Sequence, residues 1–268
     1  MSLKTLVRLA PTVLILSGLA AVRPAAAQFV TFGAAQTISG VSDVSTSGTL
    51  VDAYKFNGGS AITVNNVTFN GTANAGSGNL SISGVDGGSF GGYGLGTSGT
   101  AYGNLDGTYQ SLITNGIYTD GHTTAGVPTT MSFTESGLTA GHRYQVQYFV
   151  DDSRGGFGGR TVNVSSSGGN TQTLNYASDN STGSLGQYAI GTFTAAASAV
   201  TMTATGNLNG STQVNGLQYR DLGNAGAPIT FGGVTAIGTA QDTLGNQQGT
   251  IISAADFGAG TQIGRAHV

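Results

Sequence analysis

Apolar and polar residues alternate in short runs through most of the chain. The alternation is clearest at residues 143–150 (RYQVQYFV), where Tyr144, Val146, Tyr148 and Val150 share one side. Because successive side chains of a β-strand point to opposite faces, this run predicts a strand with one strongly apolar face. Similar runs predict further strands at 61–69, 80–83, 129–134, 161–164, 172–176, 188–193, 200–205 and 213–220. Short strands separated by turn residues favour an antiparallel β-sandwich.

One segment has helical character instead. Residues 109–114 (YQSLIT) follow Asp106, a good N-cap residue, and precede Gly116, which we expect at the C′ position. The sequence therefore predicts an all-β fold with a single short helix.

An internal repeat bears on the domain organisation. Residues 30–59 and 229–260 share a pattern that needs one two-residue insertion to align. The aligned pairs are Phe32 with Phe231, Ile38 with Ile237, Asp43 with Asp242, Gly48 with Gly249, and Phe56 with Phe257. We expect a complete domain at 28–223, a linker at 224–228 and the truncated start of a second repeat at 229–262. Convergence of two turn-rich β sequences is the alternative.

The first 27 residues have the pattern of a secretory signal peptide. Lys4 and Arg8 precede a ten-residue apolar core at 13–22, and an A-x-A cleavage site ends at Ala27. The apolar run is shorter than the ~20 residues of a membrane span. We therefore expect a secreted chain without a transmembrane span after cleavage. A buried N-terminal helix is the alternative.

The last six residues, 263–268 (IGRAHV), can be encoded by part of a common sequencing-adapter oligonucleotide. We expect this segment to be a sequencing artefact, in which case Arg265 and His267 have no function and the natural C-terminus lies elsewhere. An ordinary tail is the alternative.

Charge and composition exclude several classes of protein. The chain has no Cys, which excludes disulfides, thiol nucleophiles and Cys-ligated zinc. Residues 28–262 hold five Lys and Arg against twelve Asp and Glu, a formal charge of −7. Since nucleic-acid binding needs clustered cations, we expect no nucleic-acid partner.

The densest group of charges surrounds the end of the strand predicted at 143–150. Asp151, Asp152 and Arg154 follow this strand, and Phe157 and Arg160 lie in and after a glycine-rich loop. Carboxylates and guanidinium groups bind sugar hydroxyls, and an aromatic ring can stack on a sugar face. These five residues are the candidate ligand-binding site. In the structural alternative, the aspartates cap a turn and Arg154 pairs with one of them.

One asparagine is predicted to be structural. Asn215 is in phase with Leu217 and Tyr219, so a regular strand points it inward. A buried amide needs hydrogen-bond partners, and we expect Asn215 to bind a neighbouring backbone segment.

Four aspartates in Gly- or Asn-rich loops could offer oxygen ligands to a structural calcium ion. They are Asp86, Asp106, Asp120 and Asp179. No EF-hand spacing is present, so the pattern selects no ligand set. We predict no other cofactor.

Evidence for catalysis is weak. His122 and His142 lie in polar loops or turns, and no G-x-S-x-G nucleophile elbow is present. Glycoside hydrolysis requires two carboxylates, and Glu135, the single Glu, is the candidate acid. We predict that the protein is not an enzyme, although a second carboxylate in a cleft beside Glu135 would favour a hydrolase.

Several motifs occur in an order that resembles a known family. They are 136–154 (SGLTAGHRYQVQYFVDDSR), 186–193 (GQYAIGTF), 213–221 (QVNGLQYRD), 42–58 and 64–71. Together they resemble exported bacterial β-sandwich repeats, which often carry sorting tails of the PEP-CTERM type. The resemblance implies a jelly roll of the galactose-binding or malectin type, and carbohydrate binding only by analogy of fold.

From these observations we expect a non-catalytic protein of the bacterial cell surface or matrix that binds polysaccharide weakly through its loops. A structural spacer or adhesin module without a small ligand is the alternative. A hydrolase is the third hypothesis.

Overall fold

The computed structural model describes residues 28–56, 58–73, 75–85, 88–90, 98–120, 129–156, 158–207 and 212–226. Outside them lie the predicted signal peptide, the second repeat, the terminal segment 263–268, Phe157, Asp86 and His122.

The described residues form sixteen strands, two 3-10 turns and one α-helix, α1. The strands are β1 (Thr31–Phe32), β2 (Gln36–Thr37), β3 (Thr49–Phe56), β4 (Ile62–Val64), β5 (Val67–Thr72), β6 (Leu80–Ser83), β7 (Gly88–Phe90), β8 (Gly116–Thr119), β9 (Thr130–Ser136), β10 (His142–Val150), β11 (Thr161–Ser166), β12 (Gln172–Asn175), β13 (Gln187–Thr194), β14 (Ala199–Gly206), β15 (Thr212–Val214) and β16 (Gly216–Asn224). The 3-10 turns are Val41–Asp43 and Tyr102–Asn104, and α1 is Gly107–Ile113.

Most strands belong to two sheets. The large sheet has the order β1-β13-β10-β16-β3-β5-β4, with β2 also paired to β13. The small sheet has the order β12-β11-β14-β9-β6, and β15-β8-β7 form a further short sheet. All pairs within these sheets are antiparallel except β3 with β5. The prediction of an all-β sandwich with one short helix is confirmed.

The main core lies between the large and small sheets. Phe133 of the small sheet contacts two aromatic rings of the large sheet, Phe56 at 5.9 Å and Tyr148 at 5.8 Å between ring centroids. As the alternation predicts, Tyr144, Val146, Tyr148 and Val150 of β10 all enter this core. The burial of these four side chains against the small sheet helps to join the two sheets.

A second core covers the opposite face of the large sheet. Phe149 of β10 points to this side and packs against Phe69 of β5 and Tyr109 of α1, at 6.0 and 6.3 Å between ring centroids. The large sheet is therefore buried on both faces, whereas the small sheet has only one face in the core.

Helix α1 begins as the sequence predicts but ends differently. The carboxylate of Asp106 accepts a hydrogen bond from the backbone N–H of Thr108 at 2.8 Å, which is an N-cap bond. Gly116 is not a helix-ending glycine, because it is the first residue of β8.

Residues 61–69 form a hairpin rather than the single strand that the sequence predicts. Asn65 and Asn66 separate β4 from β5 and have φ angles of 47° and 61°. Two successive residues with positive φ are the signature of a type I′ turn, a conformation that Asn tolerates better than most residues.

The edge strand β1 and the residue before it are bonded by side chains at the end of β11 and in the loop that follows β11. The Asn170 amide accepts from the backbone N–H of Phe32 at 2.7 Å and donates to its carbonyl oxygen at 2.9 Å. Ser166 Oγ accepts from the backbone N–H of Val30 at 3.0 Å. These bonds occupy backbone groups that an exposed edge would offer to another strand.

The compact unit that contains the described residues ends at Gly226. The last strand continues to Asn224, and the backbone N–H of Ala225 donates a hydrogen bond to the carbonyl oxygen of Gly141 at 3.1 Å. Residues 224–226 of the predicted linker are therefore part of this unit. Within the described ranges, no helix is both long and apolar enough to cross a membrane.

Candidate functional site

The predicted ligand-binding residues lie where β10 ends and β11 begins. Asp151 and Asp152 follow β10 directly, and Arg160 precedes β11. The structure brings these three residues together in the interior, with exposed fractions of 0, 1 and 5 % respectively. Phe157 lies outside the described residues.

Asp152 is bonded to both arginines. Its Oδ1 accepts from Arg154 Nε at 2.7 Å, and its Oδ2 accepts from Arg154 Nη2 at 2.5 Å and from Arg160 Nη1 at 2.7 Å. The Arg160 guanidinium also lies over the ring of Tyr176, 4.8 Å from its centroid. Bidentate pairing of this kind is strong because both partners are charged and the geometry is planar. Only Arg154 reaches solvent, with 32 % of its side chain exposed.

Asp151 bonds to a different set of neighbours. Its carboxyl oxygens accept from the backbone N–H of Gly186 at 2.7 Å and from Ser153 Oγ at 2.5 Å. Burial raises the pKa of Asp151 to about 8, although these hydrogen bonds oppose the shift. Burial therefore favours the neutral form of this carboxyl group more than water does.

Asn215 lies beside Asp151 and joins separate backbone segments. Its Oδ1 accepts from the backbone N–H of Asp151 at 2.8 Å, and its Nδ2 donates to the carbonyl oxygens of Ile113 at 2.6 Å and Asn115 at 3.0 Å. The side chain is fully buried. Through it, the end of β10 is held against the end of α1.

The other predicted candidates are dispersed. Asp106 caps α1, Asp179 Oδ1 accepts from the backbone N–H of Ser181 at 2.7 Å, and His142 Nδ1 is 2.8 Å from Asp221 Oδ2. Within the described part of the chain, no three His, Asp or Glu side chains come close enough together to hold a metal ion.

Glu135 has a second carboxylate beside it. Tyr54 Oη lies 3.0 and 3.3 Å from the two Glu135 carboxyl oxygens, and Asp52 is close enough to interact with both residues. Burial, then the charge of Asp52, raises the pKa of Glu135 to about 8. Asp52 also accepts from Asn79 Nδ2 at 2.8 Å. Glu135 is completely buried, whereas Asp52 is half-buried and its bond to Asn79 is exposed, so the pair extends from the core towards the surface.

Asp52 and Tyr54 were not among the candidate residues predicted from the sequence. A signal was present, because Asp52 is in phase with Tyr54 and Phe56, and the last two face the main core. An acid on the apolar side of a strand predicts a carboxyl that is at least partly buried and has a specific partner, as Asp52 is and has.

The outer face of the small sheet is covered by hydroxyl and amide side chains. Every second residue of these strands faces the main core, apart from the half-buried Gln172 of β12, and the intervening residues are half-buried or exposed. Apart from Ala199 they are Ser, Thr or Asn, and none is charged or aromatic. We call this surface the hydroxyl face. Its residues are Ser81, Ser83, Thr130, Ser132, Thr134, Ser136, Thr161, Asn163, Ser165, Thr173, Asn175, Thr201, Thr203 and Thr205.

Strand register arranges these side chains in rows that cross the strands. The central row is Ser83, Ser132, Thr203 and Ser165, one residue from each of four neighbouring strands. The second row is Thr130, Thr205, Asn163 and Thr173.

Hydrogen bonds within the rows hold the side chains in place. In the central row, Ser165 Oγ and Thr203 Oγ1 are 2.9 Å apart. In the second row, the hydroxyls of Thr130 and Thr205 are 2.8 Å apart, and Thr173 Oγ1 donates to Asn163 Oδ1 at 2.7 Å. The face thus presents ordered donors and acceptors without a formal charge.

The fold defines the class of the protein as a two-sheet β-sandwich. Comparison with models of known protein families, with curated proteins and with solved structures found no match.

Proposed function

We propose that the protein is a non-catalytic, exported module of a bacterial surface or matrix, and that it binds neutral polysaccharide weakly. The hydroxyl face is the observation that carries this proposal. The signal-peptide pattern of 1–27 supports export. The resemblance of its motifs to exported jelly-roll repeats supports the surface location.

The charge distribution favours a neutral ligand. Residues 28–262 have a formal charge of −7, but none of the residues of the hydroxyl face contributes to it. An anionic ligand would be repelled by the rest of the surface, and a cationic ligand would find no carboxylate on this face. A polyhydroxylated neutral polymer is complementary, since Ser and Thr hydroxyls both donate and accept hydrogen bonds.

We place the contact on the hydroxyl face rather than on the loop cluster, the name we give to Asp151, Asp152, Arg154 and Arg160. Asp151, Asp152 and Arg160 are buried and bonded to neighbouring residues, so a sugar would have to displace existing bonds to reach them. Each hydroxyl contact is weak, and useful affinity arises when repeated modules engage one polymer together.

The test is a binding assay of the full chain against a panel of insoluble neutral polysaccharides. Thr203→Lys places a charged side chain in the central row, and we expect it to weaken binding at least about tenfold, a change of about 1.4 kcal/mol. Thr68→Lys is the matched control. Thr68 is an exposed threonine that shares a hydroxyl pair with Thr63 at 3.1 Å, but it lies on the large sheet.

We expect Thr68→Lys to bind like the wild type. Binding to no polysaccharide on the panel would overturn the proposal. Equal weakening by the two substitutions would show that the contact is not on the hydroxyl face.

A spacer module without a ligand is the second candidate. The observation that favours it is the internal bonding of the loop cluster, which holds the ends of β10 and α1 together. A folded protein that binds nothing on the panel is the result expected for a spacer.

A further inference from the structure

We infer that the main core contains a site for a bound water molecule between Tyr148, Tyr219 and Glu135. The site joins β10 and β16 of the large sheet to β9 of the small sheet. Two unpartnered hydroxyl groups beside a buried carboxyl group point to it. The site is independent of the proposed function, because none of its residues belongs to the hydroxyl face.

The hydroxyl groups of Tyr148 and Tyr219 have no hydrogen-bond partner among the described residues. Both oxygens are buried, and both residues have an exposed fraction of 0 %. Burial raises the pKa of each phenol above its ordinary value of 10, so each hydroxyl keeps its proton and can both donate and accept. Buried polar groups without a partner are rare, because they lose their bonds to water and gain none in return. Two such groups in one core require a partner other than a protein atom.

Strand pairing places the two tyrosines close together. Tyr148 and Tyr54 lie on either side of Leu217, in one row across the large sheet. Tyr219 is two residues beyond Leu217 on the same face, so it is a diagonal neighbour of both tyrosines. It is close enough to interact electrostatically with both of them and with Glu135. The three phenol groups therefore converge on one region of the core.

The small sheet brings a carboxyl group to the same region. Glu135 is completely buried, and Tyr54 Oη lies 3.0 and 3.3 Å from its two carboxyl oxygens. Phe133, two residues earlier on β9, packs against the ring of Tyr148 at 5.8 Å between centroids. Glu135 and Tyr148 therefore lie near each other on facing surfaces of the core. Tyr54 uses only part of the hydrogen-bonding capacity of the carboxyl group.

Water fits this environment better than other occupants do. A buried water molecule typically makes about three hydrogen bonds to polar groups that lack other partners. Tyr148, Tyr219 and Glu135 supply that number, with donors and acceptors among them. A metal ion would need more charged ligands, and within the described ranges no three His, Asp or Glu side chains gather around one point. An anion would be repelled by Asp52 and Glu135.

Replacing tyrosine by phenylalanine gives opposite results with and without a bound water. Tyr148→Phe and Tyr219→Phe each remove one hydroxyl and keep the ring. A hydroxyl that is bonded to water stabilises the fold, so each substitution should lower the thermal midpoint by about 2–4 °C. A buried hydroxyl without any partner destabilises the fold, and its removal would raise the midpoint. An unchanged or raised midpoint in both variants would overturn the inference.

Tyr188→Phe is the matched control. Tyr188 is half-buried at the edge of the second core, and its hydroxyl is not among the buried atoms that lack a partner. Its hydroxyl can bond to solvent in both the folded and the unfolded protein. We therefore expect this substitution to change the thermal midpoint by less than about 1 °C.

The double variant tests whether one water serves both hydroxyls. Once Tyr148→Phe has weakened the binding of a shared water, the hydroxyl of Tyr219 has less to lose. The two substitutions together should therefore lower the midpoint by less than the sum of their separate effects. Strictly additive effects would show that the hydroxyls have separate surroundings, and would overturn the shared site.

A crystal structure of the wild-type protein tests the site directly. We expect an ordered water within about 3.2 Å of Tyr148 Oη, Tyr219 Oη and a carboxyl oxygen of Glu135. A structure of Tyr219→Phe should show this water displaced or weakly occupied. A direct hydrogen bond between the two hydroxyls, with no water beside them, would overturn the inference whatever the stability of the variants.

Discussion

Replacing Glu135 by Gln should remove much of the pH dependence of folding stability. Glu135 is completely buried between the two sheets, and its pKa is raised from an ordinary value of 4.5 to about 8 by burial and then by the charge of Asp52. The protonated carboxyl is thus the form that fits the folded protein. Gln has the same shape, is neutral at every pH and can donate a hydrogen bond from its amide.

The sign follows from proton binding. The folded state holds the Glu135 proton more tightly than the unfolded chain does, so raising the pH favours unfolding. The contribution of Glu135 to folding stability is greatest below a pH of about 4.5, falls as pH rises, and levels off above about 8. A rise in pKa from 4.5 to about 8 corresponds to about 5 kcal/mol, which is an upper bound because a folded protein relaxes around a buried ion.

The burial of Asp151 adds a second contribution of the same sign, because its pKa is also raised to about 8. The wild type should therefore lose stability from both carboxyls between pH 5 and 9. Glu135→Gln should lose only the part due to Asp151. At pH 5 the variant should be within about 1 kcal/mol of the wild type, since one hydrogen bond replaces another.

Urea unfolding at pH 5, 7 and 9 measures the effect through the midpoint and slope of each transition. Asp179→Asn is the matched control, because it makes the same acid-to-amide change at an exposed turn. The control should keep the pH dependence of the wild type. If Glu135→Gln also kept the pH dependence of the wild type, Glu135 would not be a buried carboxyl with a raised pKa.

Three further predictions concern the loop cluster and the domain boundary. Asn215→Ala removes three buried hydrogen bonds to backbone groups and should cost about 3 kcal/mol, measured by urea unfolding. Arg160→Met leaves Asp152 without a buried partner and should cost about 3–5 kcal/mol in the same assay, whereas Arg154→Met, at the more exposed partner, should cost less than about 2 kcal/mol. Deletion of 227–268 should change the thermal midpoint by only a few degrees, which corresponds to less than about 1 kcal/mol, and a fall above about ten degrees would place part of that segment in the first unit.

The sandwich was predictable because strand periodicity is local. In β10, the in-phase positions 144, 146, 148 and 150 reach the main core as the alternation indicates. The opposite side of the same strand was not predictable in this way. Phe149 is buried by α1 and β5, which come from distant parts of the sequence. Local pattern gives the faces of a strand, but tertiary structure decides how many of those faces are covered.

Residues far along the chain decide whether the loop cluster is a surface site or a buried network. Asp151 and Asp152 follow a strand in a charge-poor chain, a pattern that fits a surface site as well as a buried network. Gly186 and Asn215, which surround Asp151, lie 35 and 64 residues further along the chain. Their approach is set by the pairing of β10 with β13 and β16, which no local pattern contains.

The hydroxyl face was partly visible in the sequence as alternating Thr and Ser. Its rows were not, because they depend on the register of four strands that are far apart in sequence. A shift of one residue would turn the hydroxyls of a strand into the core and its apolar residues outward. Burial of Met131, Phe133 and Met202 therefore fixes the register, and the same register aligns the hydroxyls.

The residues that the predicted repeat shares between 30–59 and 229–260 have structural roles in the first of these stretches. Phe32, Ile38 and Phe56 are buried, with exposed fractions of 3, 1 and 0 %. Gly48 has φ = +70°, and a Cβ there would lie 2.3 Å from the carbonyl oxygen of Asp221, so no larger residue fits without a shift of the backbone.

Asp43, the remaining shared residue, organises the turn before β3. Its Oδ2 accepts from the backbone N–H of Ser39 at 2.6 Å and of Gly40 at 3.0 Å, and Tyr109 of α1 donates to the same oxygen at 3.2 Å. Asp242 and Gly249 stand at the matching positions of the sequence pattern, so a second repeat at 229–262 stays a prediction, with convergence of two turn-rich β sequences as the alternative. By contrast, the site residues Asp151, Asp152 and Arg160 and the rows of the hydroxyl face all lie beyond the repeated stretch.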